Sequence, residues 1–306
     1  MKIKKAIKEW ILPPGFLKLR RYLKESVRSG FPGDDGNPKK YSLPNQQNDL
    51  RSFKEKYNGQ RCFVLATGPS IQKQDLRVLK GEKCIGVSMF HLHEHIDIIK
   101  PIWHVLAPPH PPFKFDTVKK IIDSSWERYK DFNEINFMLG SFEYEYSYLN
   151  YLTTQQNEFL KRFRDSVYFI NYNKAKVLSE KNFDREEMWN IEENPFLLRT
   201  VIYSAIQLAN YLGFKEIILL GCDHDYLYDI NRIENHHFYS EEQGFSDREN
   251  LSAFDRERWF FEYYNRWKDY RLMRRYLALK GVKIINATEG GMLDVFPRRN
   301  LEDFFH

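Results

Sequence analysis

From residue 61 onward, short runs of apolar, β-branched and aromatic residues alternate with longer stretches whose apolar positions return every three or four residues. The run Arg61-Cys62-Phe63-Val64-Leu65-Ala66 stops abruptly in Thr67-Gly68-Pro69-Ser70, and a helix-like stretch over 71–80 follows. This predicts a buried parallel strand, a tight turn and a helix N-terminus. Residues 83–88, 102–107, 135–139, 167–172, 216–220 and 282–287 predict further strands. Stretches 115–129 and 251–280 read as helical. So does 196–212, where Leu197, Leu198, Val201, Ile202, Ala205, Ile206, Ala209 and Leu212 share one face before Gly213. Strands alternating with helices predict an α/β fold with a Rossmann-like, doubly wound, mostly parallel sheet.

In such a sheet, ligands bind beyond the carboxyl ends of the strands. Four of those ends carry polar or glycine residues: Thr67-Gly68-Pro69-Ser70, Ser88, Gly221-Cys222-Asp223-His224-Asp225, and Asn286 to Gly291 with Thr288 and Gly290. Gly68 permits close approach of a ligand, and Pro69 suits a first helical turn. Ser70 adds a hydroxyl where free N–H groups favour an anion. An ordinary βα turn accounts for the same residues. The polar stretch around Glu234 to Tyr239 presents His236 and His237, and loop histidines are well placed to act on substrate. Asp223 and Asp225 have the Asp-x-Asp spacing that can hold a divalent cation against a diphosphate; the favoured role for Asp223 is donor-site positioning, and a loop cap that orients His224 is the other reading. No Gly-Lys-Ser/Thr motif supports ATP use. His91, His93 and His95 alternate in a way that fits a surface or loop segment better than a metal site.

Charge changes the picture at one place. Of the net +5, residues 1–30 contribute +7, from nine basic residues against Glu9 and Glu25, which leaves −2 elsewhere. A wholly basic nucleic-acid binder is excluded. With Trp10, Ile11, Phe16, Leu17 and Leu23 interleaved, residues 1–30 read as an amphipathic segment for an anionic membrane surface. A solvated helix packed on the domain is the other reading. Residues 31–50, rich in Gly, Pro, Asp and Asn, read as a linker, and 51–306 as a single domain. Cys62, Cys84 and Cys222 lie in separate apolar runs without zinc spacing, which suits buried thiols in a reducing cytosol. No run reaches the roughly 20 apolar residues a bilayer span needs. Pro13-Pro14-Gly15 breaks the basic N-terminus, and no small-residue cleavage site follows, so no signal peptide is expected.

Phe63 to Ser70, Phe-Val-Leu-Ala-Thr-Gly-Pro-Ser, resembles the nucleotide-binding opening of bacterial sialyltransferases of glycosyltransferase family 42. It is similar also to the related 6-hydroxymethylpterin pyrophosphokinase-like proteins. Leu212 to Asp223 resembles the second signature of the family, and Lys283 to Thr288 with Met292-Leu293 its final strand and turn. The resemblance spans about 61–305, with a poorly aligned middle. It implies a GT-A-variant, sialyltransferase-like fold with a lid around 225–250. It further implies a CMP-sugar donor over the Gly68 turn, no metal cofactor, and His237, followed by Phe238, as general base, with His236 its neighbour. Thr200 matches a threonine of the donor-site helix. Ser88, Pro108 and Thr67 depart from family asparagines, which bears on the identity of the donor. A glycan or glycolipid acceptor, a role in surface polysaccharide, lipopolysaccharide or capsule synthesis, and a peripheral place on the cytoplasmic face of the inner membrane follow as expectations. The alternatives are a metal-dependent nucleotide-diphosphate-sugar transferase, a pterin pyrophosphokinase-like enzyme, and a non-catalytic sugar-nucleotide-binding module.

Overall fold

Seven parallel strands form the centre of the protein, in the order β5-β4-β3-β2-β1-β6-β7. They are β1 (Arg61–Leu65), β2 (Cys84–Val87), β3 (Trp103–Leu106), β4 (Asn136–Ser141), β5 (Val167–Asn171), β6 (Glu216–Leu220) and β7 (Lys283–Asn286). The computed structural model describes residues 48–109, 115–142, 147–154, 157–228, 237–239 and 256–305. The chain divides between Pro38 and Lys39. The basic segment 1–30 and the expected linker up to residue 47 lie outside the described residues. Leu50, assigned by composition to the linker, is buried, and its N–H donates to Glu192, so 48–50 belong with the folded body.

The helices are α1 (Ile96–Ile99), α2 (Phe115–Tyr129), α3 (Tyr148–Thr154), α4 (Glu158–Phe163), α5 (Ile202–Tyr211) and α6 (Arg256–Leu279). They flank the sheet; α5 packs against β1 and β2, and α6 against β7. The inner strands are buried along their lengths because both sheet faces are covered, which is why they read as continuous apolar runs. The expected Rossmann-like α/β fold is the one found. β1 pairs with β2 on one side and with β6 on the other, so the strand order reverses at β1. A crevice at such a reversal is where this class of sheet binds ligands. No helix among the described residues is long and apolar enough to cross a membrane.

Two expected helices come out differently. Residues 71–80 form two 3₁₀ segments, Pro69–Lys73 and Leu76–Leu79. Gln74 between them is extended, and the Asp75 carboxylate accepts the Arg77 N–H. A short polar side chain that bonds its own backbone starts a new turn instead of continuing the old one. The 196–212 stripe becomes helical only at Ile202. Phe196 is held in a parallel bridge to Lys176, and its N–H donates to the Gln207 side chain. Gly213 ends α5 as expected, at φ +92°.

Candidate functional site

The ends of β1, β2, β3 and β6 open onto one cavity of about 570 Å³. Of the residues singled out in the sequence, Thr67, Gly68, Ser88, Thr200, Gly221, Asp223 and His237 line it, as do Pro108, Cys222, His224 and Asp225. Residues 237–239 reach β1 across a long stretch of chain and are fastened there. His237 Nδ1 lies 3.1 Å from Thr67 Oγ1, the Phe238 N–H donates to the Thr67 carbonyl, and Gln72 donates to the Phe238 carbonyl. His237 also stacks on Tyr239, with ring centroids 4.9 Å apart and an interplanar angle of 6°.

The floor of the cavity is a contact between the ends of β1 and β6. The Asp223 carboxylate accepts the Ser70 N–H at 3.2 Å and the Ser70 hydroxyl at 2.7 Å, and the Gly68 N–H donates to the Gly221 carbonyl at 2.9 Å. The donors expected to be available at Ser70 are thus taken by a carboxylate of the same chain. Pro69–Lys73, only five residues long, provides no extended helix terminus either. Burial raises the Asp223 pKa from its ordinary value, and the two Ser70 hydrogen bonds oppose that rise. Asp223 is thus a clasp between the ends of β1 and β6.

Thr288 and Gly290 do not join this cavity. They line a separate one of about 460 Å³, and the Thr288 hydroxyl accepts the Cys222 N–H at 2.9 Å. Thr288 therefore acts on the site from behind, by fixing the backbone next to Asp223. His236 and most of the expected lid lie outside the described residues. The three cysteines are buried free thiols. No group of three metal-ligating side chains is present among the described residues.

Two non-glycine residues on the cavity wall adopt left-handed backbone: Ser88 at φ +50° and His224 at φ +49°. Such conformations persist only where surroundings impose them, and aromatic and imidazole side chains do so at both positions. The His224 ring is 2.8 Å from the Tyr270 hydroxyl, and its carbonyl accepts from Tyr263 at 2.6 Å. The Ser88 carbonyl accepts from His104 Nε2 at 2.8 Å, while His104 Nδ1 meets the Tyr129 hydroxyl at 2.8 Å. A carbonyl only accepts, so Nε2 carries the His104 hydrogen and Nδ1 accepts from tyrosine. His91 and His93, which the alternating pattern assigns to a surface or loop segment, lie in and just after the 3₁₀ turn Ser88–Leu92 and are buried beside this network. His91 bonds Ser124, and Arg128 donates to both histidine carbonyls.

These imidazoles make acid sensitivity a property of the wall. Burial lowers His104 and His93 to about 4 and pushes His91 and His224 well down. The unfolded chain binds protons near pH 6.5, which the folded state refuses until about pH 4. The stability present above pH 6.5 is therefore lost as pH falls through that window, for His104 alone by roughly 3 kcal/mol. Asp269, raised by burial to about 6, acts in the opposite sense between about pH 4 and 6. Asp223, also raised by burial, acts in that sense too, so that two carboxylates stand against four histidines. Denaturant midpoints measured from pH 7 to 4 are expected to fall steeply, and less steeply in His104→Gln.

The pattern reading misses the two arginines of the wall, Arg199 and Arg266. Arg199 is paired with Glu262 and, at 3.1 Å, with Asp269. Arg266 occupies a place in the 263, 266, 270, 273, 277 row of α6, whose other members Tyr263, Tyr270, Met273 and Leu277 are all buried. A charged residue in an apolar row at helical spacing is the sequence signal that marks it. Compared with protein-family models and with curated proteins, the chain matches none.

Proposed function

We propose that the protein is a glycosyltransferase that moves a nonulosonic, sialic-acid-like sugar from a CMP-activated donor to a glycan or glycolipid acceptor. The observation that carries this reading is the meeting of His237 with Thr67 over the β1 turn, at the strand-order reversal. The chemistry asks for a base within reach of an acceptor hydroxyl and for a site that accommodates a departing nucleoside monophosphate. With its hydrogen on Nδ1, His237 donates to Thr67 Oγ1, and Nε2 carries the lone pair. Nε2 takes the acceptor proton as the acceptor oxygen bonds to the anomeric carbon. The bond from that carbon to the phosphate oxygen breaks, and CMP leaves with the electron pair. Thr67, an asparagine in the resembling family, is then a positioning residue for the base.

The reading is tested by thermal shift with CMP, UDP, GDP and ATP, each with and without Mg²⁺ or Mn²⁺. A ligand that binds only the folded state raises the melting temperature with occupancy. CMP is expected to stabilise the protein without added metal, and UDP and ATP to do so less. Strict Mn²⁺ dependence would instead favour the diphosphate-sugar transferase.

The same proposal places the protein at the cytoplasmic face of a membrane, through residues 1–30. Each basic residue near an anionic leaflet contributes about 1 kcal/mol. Removing 1–30 is expected to abolish sedimentation with anionic liposomes while leaving the melting temperature in place. Unchanged sedimentation would make the segment packing material.

A further inference from the structure

A guanidinium keeps its proton at any ordinary pH, so its charge must be met wherever the chain places it. Around the cavity this holds for one of the two arginines only. Arg199 has the carboxylates of Glu262 and Asp269. Arg266, one turn away on the apolar row of α6, has none within 4 Å among the described residues. Its Nη2 donates to the Arg199 carbonyl at 3.3 Å, and its Cζ stands 5.2 Å from the Tyr263 ring centroid. Nε and Nη1 are buried and have no hydrogen-bond partner among the described residues. Buried donors without acceptors are rare and each needs a reason. The Ser70 donors are already held by Asp223.

We infer that Arg266 is the anion-binding group of this cavity, with Nε and Nη1 donating to the oxygens of a phosphate or carboxylate on the substrate. The inference deepens the reading above, because a CMP-activated nonulosonic acid carries both groups. It does not depend on the base being cytidine, since the unmet donors call for an acceptor, and the guanidinium charge favours an oxyanion over a neutral one. Nε and Nη1 are covered as the side chain stands, so presenting them to an anion takes a turn of the guanidinium, opposed only by the long Nη2 bond to the Arg199 carbonyl and the contact with the Tyr263 ring.

The test is calorimetric titration of the full chain and of Arg266→Gln and Arg266→Lys with pyrophosphate, CMP and CMP-N-acetylneuraminate, beside melting temperatures without ligand. Charge-assisted hydrogen bonds of this kind correspond to a 10- to 100-fold change in affinity. Arg266→Gln is expected to weaken pyrophosphate binding and at least one cytidine ligand by on the order of 10-fold or more, with partial recovery in Arg266→Lys. Its melting temperature is expected to stay close to that of the wild type, because the loss of the Nη2 bond and the Tyr263 contact is offset by removal of two unmet donors from a half-buried charge. A loss already present with CMP assigns the phosphate; a loss seen only with the CMP-sugar assigns the carboxylate. Arg266-dependent binding of pyrophosphate with no binding of either cytidine ligand would sink the CMP-donor reading and leave this inference standing. The inference is overturned if Arg266→Gln binds every anion within twofold of wild type, if no anion binds the wild type, or if the variant melts several degrees lower with its affinities intact.

Discussion

His237→Ala is expected to keep CMP affinity and melting temperature while sugar transfer falls by about 10²-fold or more. A positioned base contributes about 10²–10⁴-fold through proton transfer in the transition state, and that contribution disappears with the imidazole. Nucleotide affinity is expected to persist because His237 meets the turn through Thr67 and not through the Asp223 clasp. Thr67→Val keeps the size of the side chain and removes the hydroxyl that orients Nδ1. It is expected to lower kcat by a smaller factor with little change in KM. Comparing His237→Ala with His236→Ala under single-turnover conditions decides which imidazole serves. Near-normal turnover of His237→Ala, or a dead His236→Ala with binding intact, removes His237 from the role.

The second large effect is on the fold. Gly68 has φ −63° and ψ 150°, values any residue adopts, so a backbone argument for glycine fails here. The reason is space: a Cβ at this position would lie 1.8 Å from Asp223 Oδ2 and 2.6 Å from the Gly221 carbonyl oxygen. Alanine must push the carboxylate off Ser70 or part β1 from β6, and either leaves buried polar groups unmet. Overpacking and lost hydrogen bonds of this kind cost about 2–4 kcal/mol together. For a domain this large, that is a fall in melting temperature of roughly 5–15 °C. Circular dichroism melts of Gly68→Ala and Pro69→Ala measure it, with the proline variant changing far less. A Gly68→Ala variant within a degree or two of wild type would mean that the clasp yields easily.

Much of this architecture is legible because the strands are buried on both faces and therefore apolar without interruption. The reading of 115–129 as a helix agrees with the structure at both ends, since Val118, Ile121, Ile122, Ser125 and Tyr129 repeat on its buried side. Strand ends were enough to collect Thr67, Gly68, Ser88, Gly221 and Asp223 around one cavity. What the pattern does not carry is long-range partnering. Ser70 meets a carboxylate 153 positions away, and this turns an apparent anion cradle into a filled one. Phe196 gives up its helical place for a bridge to Lys176, a partner that local periodicity cannot register. The histidines at 91 and 93 alternate as surface or loop residues do, yet both are buried among aromatic rings, where His91 bonds Ser124 through Nε2 and its Nδ1 has no hydrogen-bond partner among the described residues. Arg266 was legible, as a charge in an apolar row, but only to a reading that tracks exceptions to the row as well as its members.

The clasp between Asp223 and Ser70 has a thermodynamic consequence for whatever enters. Crevices at strand-order reversals exist because the connections after two neighbouring strands leave toward opposite faces of the sheet, and an unclasped one must be ordered by its ligand at an entropic cost. Here β1 and β6 are joined beyond their last paired residues by a carboxylate that the chain supplies itself. The floor is preorganised, so none of a ligand's binding free energy goes into arranging it. Selectivity at this end of the cavity is then a matter of rigid shape, and adjustment to a particular sugar or nucleotide falls to the walls.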